Sequence, residues 1–299
     1  MFKKITVFGV GLIGGSFALA LKQAGVGAPI VGYGRSLPPL LRARELGLID
    51  VIANSVEEAV TGADLILIAA PVAQTGAILQ SIAPWLQCDT VITDAGSTKS
   101  DVVAAARSAL GDKIGQFVPG HPIAGRELNG PDAAIADLYA GKKVVLTVLP
   151  ENSAADIERV AKAWQLCGAL LHRLTPAEHD RVFAAVSHLP HLLSYALVDD
   201  IARKPHAALL FEFAASGFRD FTRIAGSSPE MWRDIALANQ SALLAELDAY
   251  LRRLQDLRGM LAASDGAAIE SVFSRAQQAR QGWIQTIESA EKQSQQGGD

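Results

Sequence analysis

The segment Val7-Phe8-Gly9-Val10-Gly11-Leu12-Ile13-Gly14-Gly15-Ser16 limits what this chain can fold into more than any other. It carries G-x-G-x-x-G between an apolar run, 5–8, that reads as a strand and a longer run, 12–24, that reads as a helix. In that setting each glycine has its own task. Gly9 permits a tight turn, Gly11 lets the backbone approach a pyrophosphate, and Gly14 lets the helix lie close on the strand. The helix N-terminus then offers unpaired N–H groups to an anion. Gly9, Gly11, Leu12, Ile13 and Gly14 are the expected dinucleotide contacts. Lys3-Lys4 and the apolar stretch to Leu21 also have the outline of a secretory signal. The nucleotide pattern explains the glycines inside that stretch, and a signal does not.

Downstream, strand-like and helix-like segments keep alternating. Residues 30–33, 64–70, 90–93 and 143–149 read as strands; 37–46, 99–110 and 154–167 read as helices. Unbroken apolar strands between helices imply a parallel sheet covered on both faces. From about Thr175 the strand signals stop, and Ala, Leu, Arg and Glu dominate. Residues 178–202 read as helix with a kink or break at Pro190, and 231–263 as one long helix. The expected fold class is α/β: an N-terminal Rossmann-type doubly wound parallel sheet followed by an all-helical domain. The expected division is 1–172 for dinucleotide binding, 173–290 for substrate and dimerisation, and 291–299 as a disordered tail. Leu244, Leu247, Leu251, Leu254 and Leu261 fall on a heptad-like seam that Arg258 interrupts, which suits an internal core face or a subunit interface. So small a helical domain has little interior, which favours a homodimer.

With 299 residues, 49% of them apolar, the chain can bury a sizeable core. The net charge is −4 and the basic residues form no tract, so no nucleic-acid partner is expected. Outside the glycine-interrupted stretch, no segment reads as a membrane span. Cys88 and Cys167 are the only cysteines and lie far apart, which suits a reducing, cytoplasmic setting rather than a disulfide framework.

After the second strand the chain reads Gly32-Tyr33-Gly34-Arg35-Ser36. NAD-selective sites usually carry a carboxylate there for the ribose 2′-hydroxyl. Arg35 and Ser36 suit a 2′-phosphate instead, so NADP is favoured over NAD, while an uncharged pocket accommodates either.

Three further segments carry chemistry. Asp94-Ala95-Gly96-Ser97-Thr98-Lys99 follows a strand, at the carboxyl edge where open α/β sheets bind ligands. Gly120-His121-Pro122-Ile123-Ala124-Gly125-Arg126-Glu127 frames a histidine with glycine and proline, unlike core filler. The third pairs Ser187-His188-Leu189-Pro190-His191 with Gly217-Phe218-Arg219-Asp220-Phe221-Thr222-Arg223. On a helix, His188 and His191 share a face, as do Arg219 and Arg223. No third ligand accompanies the histidines, so no metal is expected.

Taken together and in this order, these motifs and the N-terminal glycines resemble the prephenate dehydrogenase family, which includes arogenate and cyclohexadienyl dehydrogenases. The resemblance spans about residues 3–285. It implies that His121 is the catalytic histidine, taking the proton of a ring hydroxyl, and that Ser97 orients that histidine and the substrate. It further implies that Arg223 grips a substrate carboxylate. A partly buried carboxylate without a partner is costly, so an arginine should reach the pocket, and Arg219 and Arg126 stand behind Arg223 as second choices. Glu127 and Asp220 match acidic residues near the pocket entrance, and His188 and His191 a histidine pair facing the active site. Arg219 stands where the family often has lysine, and Gly34-Arg35 where NAD-using members often have an acid. Prephenate is a cyclohexadiene with a 4-hydroxyl, a ring carboxylate and a pyruvyl carboxylate. Removing hydride from C4 requires the hydroxyl proton to leave, a task suited to a neutral histidine, and loss of CO₂ restores aromaticity. The residues leave open a pyruvyl (prephenate) or alanyl (arogenate) side chain. The alternatives are another two-domain NAD(P)-dependent hydroxy-acid or imine reductase, which commonly uses a lysine as proton donor, and a non-catalytic NADP-binding sensor.

Overall fold

The structure, a computed structural model, describes residues 2–126 and 128–296. Glu127 therefore lies outside the described residues. The chain divides into two compact units, residues 1–243 and 244–299.

The first unit opens with β1 (Ile5–Phe8), α1 (Leu12–Gln23), β2 (Ile30–Tyr33), α2 (Leu37–Glu45), β3 (Val51–Ile52), α3 (Val56–Val60), β4 (Leu65–Ile68), α4 (Thr75–Ile82), β5 (Val91–Asp94) and α5 (Ser100–Leu110). The strands form one parallel sheet in the order β3-β2-β1-β4-β5, the expected doubly wound arrangement. Its strands read as continuous apolar runs because both faces are covered. Ile5, Val7, Leu65, Leu67 and Val91 join one buried cluster with Phe17 and Leu21 of α1. The alternate positions Phe8, Ile66, Ile68 and Ile92 join the other, with Leu79 of α4 and Val102 of α5. Strand order reverses between β1 and β4, and the glycine loop sits at that switch point.

A second sheet follows from β6 (Gly120–Pro122), β7 (Lys143–Leu146) and, after α6 (Ala154–Leu166), β8 (Leu170–Arg173). β6 pairs antiparallel with β7, and β7 parallel with β8. The Val118 N–H donates to the Ile92 carbonyl at 2.8 Å, so β6 starts from the end of β5. That brings His121 close to the Asp94–Lys99 loop.

Helices complete the unit: α7 (Pro176–Phe183), a π-helical turn (Ala184–His188), α8 (Leu189–Ala202), α9 (Ala207–Glu212), α10 (Ser216–Thr222) and α11 (Pro229–Ala238). Thr175 starts α7 with a capping box: its hydroxyl accepts from the Glu178 N–H, and the Glu178 carboxylate accepts from the Thr175 N–H. The irregularity expected at Pro190 lies one turn earlier. Pro190 has no N–H to give the Val186 carbonyl. The chain widens there, and the Leu189 N–H reaches back to the Ala184 carbonyl. The helical run Pro176–Ala202 is long and apolar enough to cross a membrane by length and composition, contrary to expectation. It carries buried His179 and Asp180, however, and their hydrogen bonds tie it to the start of α5 and to β6.

The single helix expected over 231–263 is two helices. α11 stops at Asn239, whose φ of −105° and ψ of 32° leave the helical range. The buried Asn239 side chain is drawn to the Asp180 carbonyl, 2.8 Å away. The second unit holds α12, which begins in the first unit (Gln240–Ala262), and α13 (Gly266–Gln296). α13 continues past Glu291, where a disordered tail was expected. On α12 the seam residues are uncovered: Leu244 is 50% and Leu261 67% exposed. Cys88 and Cys167 are unpaired.

Candidate active site

Asp94 ends β5 with its carboxylate fully buried. Oδ2 accepts from Lys99 Nζ at 2.5 Å and from the Gly96 N–H at 2.8 Å; Oδ1 accepts from the Gly120 N–H at 3.0 Å. Lys99, equally buried, also donates to the Gly120 carbonyl at 2.8 Å. One ion pair thus clamps the loop after β5 to the first residue of β6, and the next residue is His121.

Asp180 of α7 makes a second clamp. Its Oδ1 accepts from the Lys99 N–H at 2.9 Å and its Oδ2 from the Ser100 N–H at 2.8 Å, so it caps α5 from a distant helix. Burial raises its pKa, but hydrogen bonds from His179, Ser100 and Lys99 outweigh that and hold it at about 2. His179 Nδ1 lies 2.9 Å from Asp180 Oδ1, and His179 Nε2 lies 2.7 Å from His121 Nδ1. The chain Asp180–His179–His121 is continuous. Phe183 packs on both imidazoles, with ring centroids 4.5 Å and 4.8 Å away.

Burial, then the neighbouring His179, Lys99 and His188, push His121 well below its ordinary pKa. Burial also lowers His179, despite its bond to Asp180. Both rings are neutral at physiological pH.

His188, on the π-turn, has Nδ1 3.0 Å from the Asn239 amide nitrogen. That NH₂ also donates to the Asp180 carbonyl, so it is the donor and His188 Nδ1 the acceptor. Burial, then His179, bring the His188 pKa down to about 4; Asp180 opposes this, His191 adds to it, and a bond to the Ser97 backbone opposes it again. His188 is thus tied to protein groups on the Asn239 and Ser97 sides. His191 donates from Nδ1 to the Ser187 carbonyl at 2.8 Å and stacks on Trp232 at 3.5 Å. Burial lowers its pKa, the Ser187 carbonyl opposes this, and the Arg223 charge adds to the lowering. His188, His191, Tyr195, Trp232 and Arg233 line a pocket of about 280 Å³.

Of the other expected residues, Ser97 lies beside His188, but among the described residues its hydroxyl makes no hydrogen bond. His121 Nδ1 is held by His179 instead. Arg219 and Asp220 are exposed on α10 and pair loosely with each other at 4.0 Å. Arg126 is exposed. The sequence reading missed His179, Asp180 and Asn239. The adjacent His-Asp just after a capping box, and an asparagine in an apolar helical run, were the available signals.

A separate cleft of about 740 Å³ lies at the switch point, lined by Gly9, Gly11, Tyr33, Arg35, Ser36 and Pro71 among others. Gly9 has φ +91°, and a Cβ there would meet the Ala69 carbonyl at 2.7 Å. A Cβ on Gly14 would lie 2.2 Å from the Gly9 carbonyl oxygen, so α1 sits hard against β1. A Cβ on Gly11 would meet no heavy atom within 4 Å. Gly11 is also the N-cap of α1 and no side chain caps that end, which leaves first-turn N–H groups for an anion. Of the other residues expected to contact the cofactor, Leu12 and Gly14 are buried, and the Ile13 carbonyl accepts from the Tyr139 hydroxyl.

Two family models match the chain: the prephenate dehydrogenase nucleotide-binding domain over residues 17–173, and the prephenate dehydrogenase dimerization domain over 175–275. A cyclohexadienyl dehydrogenase of Zymomonas mobilis is 37% identical, covering 94% of this chain and 96% of that protein. A prephenate dehydrogenase of Bacillus subtilis is 36% identical over 93% of this chain and 75% of its own length. A crystal structure of prephenate dehydrogenase from Aquifex aeolicus, in complex with hydroxyphenyl propionate and NAD+, superposes with a TM-score of 0.87 at 33% identity. It covers 94% of this chain and 98% of that one.

Proposed function

The chain belongs to the prephenate dehydrogenase family, and from that premise we propose how its residues carry the reaction. It is an oxidoreductase of tyrosine biosynthesis: prephenate or arogenate is oxidatively decarboxylated with hydride transfer to NAD(P).

The observation that carries our assignment of roles is the environment of His121. Its depressed basicity keeps the imidazole neutral and able to take a proton. We assign it as the base for the ring 4-hydroxyl. The O–H bond breaks as an N–H bond forms on His121, while oxygen electrons make the C4 carbonyl as hydride departs. Electrons of the breaking C–CO₂ bond then move through the ring to that oxygen, and it needs a proton to become the phenol. His121 returns the one it took. When bound, NAD(P) supplies the hydride acceptor.

Arg223 is our anchor for a substrate carboxylate, because a partly buried carboxylate without a partner is costly. Its charge already acts on His191, beside the aromatic pocket. Arg233 also lines that pocket, but its guanidinium is 2.7 Å from the Asp234 carboxylate and is neutralised there. His188 and His191 line the aromatic pocket, and in this reading Ser97 joins them on the substrate side of His121. Asp220 and Arg219, exposed on α10, belong to the rim of the substrate site in this reading.

Gly9, Gly11, Arg35 and Ser36 hold the cofactor. We propose NADP as the preferred form: no carboxylate follows β2 in the cleft lining, and Arg35 stands there with no ion pair among the described residues. We further propose a homodimer through the helical half, residues 173–290, on the support of its dimerization-domain match and the exposed leucines of α12.

Kinetics in a two-by-two design, prephenate and arogenate each with NADP and NAD, test the reading. Turnover is expected with at least one substrate. NADP is expected to have the lower KM, and Arg35→Ala to erase that advantage. Tighter NAD use that is indifferent to Arg35→Ala overturns the cofactor assignment. No reduced nicotinamide in any of the four mixtures overturns the reaction.

A further inference from the structure

We propose that His179 and Asp180 form a positioning relay that holds His121 as the Nδ1–H tautomer, leaving its Nε2 lone pair to face the reacting hydroxyl. The proposal deepens the reading of His121 as base and rests on it.

The argument is a count of donors and acceptors. Asp180 accepts two backbone N–H groups and is ionised, so it can only accept from His179. The proton on His179 must then sit on Nδ1, 2.9 Å from the carboxylate. His179 is neutral, so its Nε2 is bare and can only accept. At 2.7 Å the donor must be His121 Nδ1–H. A neutral His121 has one N–H, so its Nε2 carries none. Proton assignments are thereby passed from the N-terminus of α5 to β6 through two rings. The same order serves the reaction. When the substrate O–H bond breaks and Nε2–H forms, His121 becomes an imidazolium whose other N–H already points down a chain ending in a fixed negative charge. On return of the proton to the product oxygen, the chain reverts without any group turning.

The other charged and titratable groups near the ring do not disturb this order. Lys99, from the start of α5, is matched by Asp94 of β5. His188, from the π-turn, takes a hydrogen bond from Asn239 on Nδ1. Phe183 packs on both rings of the relay. The arrangement is the triad logic of base and orienting acid with a second imidazole inserted. Neither His179 nor Asp180 is taken to touch the substrate.

The test uses the full-length protein labelled with ¹⁵N-histidine, together with His179→Leu and His179→Gln. Gln places an amide oxygen near the position of Nε2 and can accept from His121 Nδ1–H; Leu cannot. In the unaltered protein the His121 nitrogen shifts are expected to report Nδ1–H and a bare Nε2. In His179→Leu the Nε2–H form gains, kcat falls about 10- to 10²-fold, and KM for prephenate stays within about threefold. His179→Gln should recover most of the loss. A His121 found as Nε2–H in the unaltered protein overturns the proposal, as does a His179→Leu enzyme with unchanged kcat. Equal losses in the Leu and Gln variants also overturn it, because they indicate plain packing. Should the Leu variant fail to fold, the tautomer of the unaltered protein and the Gln variant still decide. The tautomer is read without substrate, so an error about the reaction is separable from an error about the relay.

Discussion

Asp94 and Lys99 are both fully buried, and a pair of that kind repays its desolvation only when every remaining donor and acceptor is placed. Here the Gly96 and Gly120 backbone supplies partners for both carboxylate oxygens and for a second ammonium N–H. Removing one member of such a pair typically costs about 3–5 kcal/mol, so the clamp beside His121 is rigid on the scale of a whole domain's stability. Glycines act at the same scale in the cofactor loop. Gly14 and Gly11 should separate folding from binding. Gly14→Ala forces a methyl onto the Gly9 carbonyl and should cost about 1–3 kcal/mol of stability, visible as a lower Tm. Gly11→Ala meets nothing in the protein. It should leave Tm nearly unchanged while raising the cofactor Kd at least about tenfold. The reverse pattern in thermal melts and cofactor titrations contradicts the assigned roles of the two positions.

At the scale of elements, the sheet was legible in the sequence because each strand is buried on both faces, and a run such as Leu65–Ile68 can be little else. The helical half was legible as helix, and one of its breaks was too: the π-turn at Ala184–His188 follows from the missing N–H of Pro190, a local cause. The stop at Asn239 was not legible, because it answers to a tertiary partner, a buried amide drawn to Asp180. The same physics hid half of the site. Gly120–His121 announced itself through its Gly/Pro frame. His179 and Asp180 looked like ordinary members of an amphipathic helix, because their partners lie 58 residues away for His179 and about 80 for Asp180. A helix cap is usually sought next to its helix. Asp180 caps α5 from α7, and nothing local in the sequence advertises that. Ser97 was legible for the opposite reason: it stands in a recognisable motif after β5, while the partner of the His121 Nδ1, His179, belongs to no such motif.

At the scale of the molecule, residues 244–299 leave large apolar side chains uncovered, including Trp283 at 60% exposure on α13. Scattered exposed leucines are ordinary, but a seam of them along a long helix asks for a partner surface. Sedimentation equilibrium at micromolar concentration should give twice the 31.5 kDa of one chain; a single-chain mass contradicts the proposed dimer. The account as a whole turns on one imidazole, and steady-state turnover of His121→Asn examines it most directly. With prephenate and saturating cofactor, kcat should fall at least about 10²-fold while the cofactor Kd changes less than about twofold. Turnover within a few-fold of the unaltered enzyme would contradict the account, leaving proton removal to some other group.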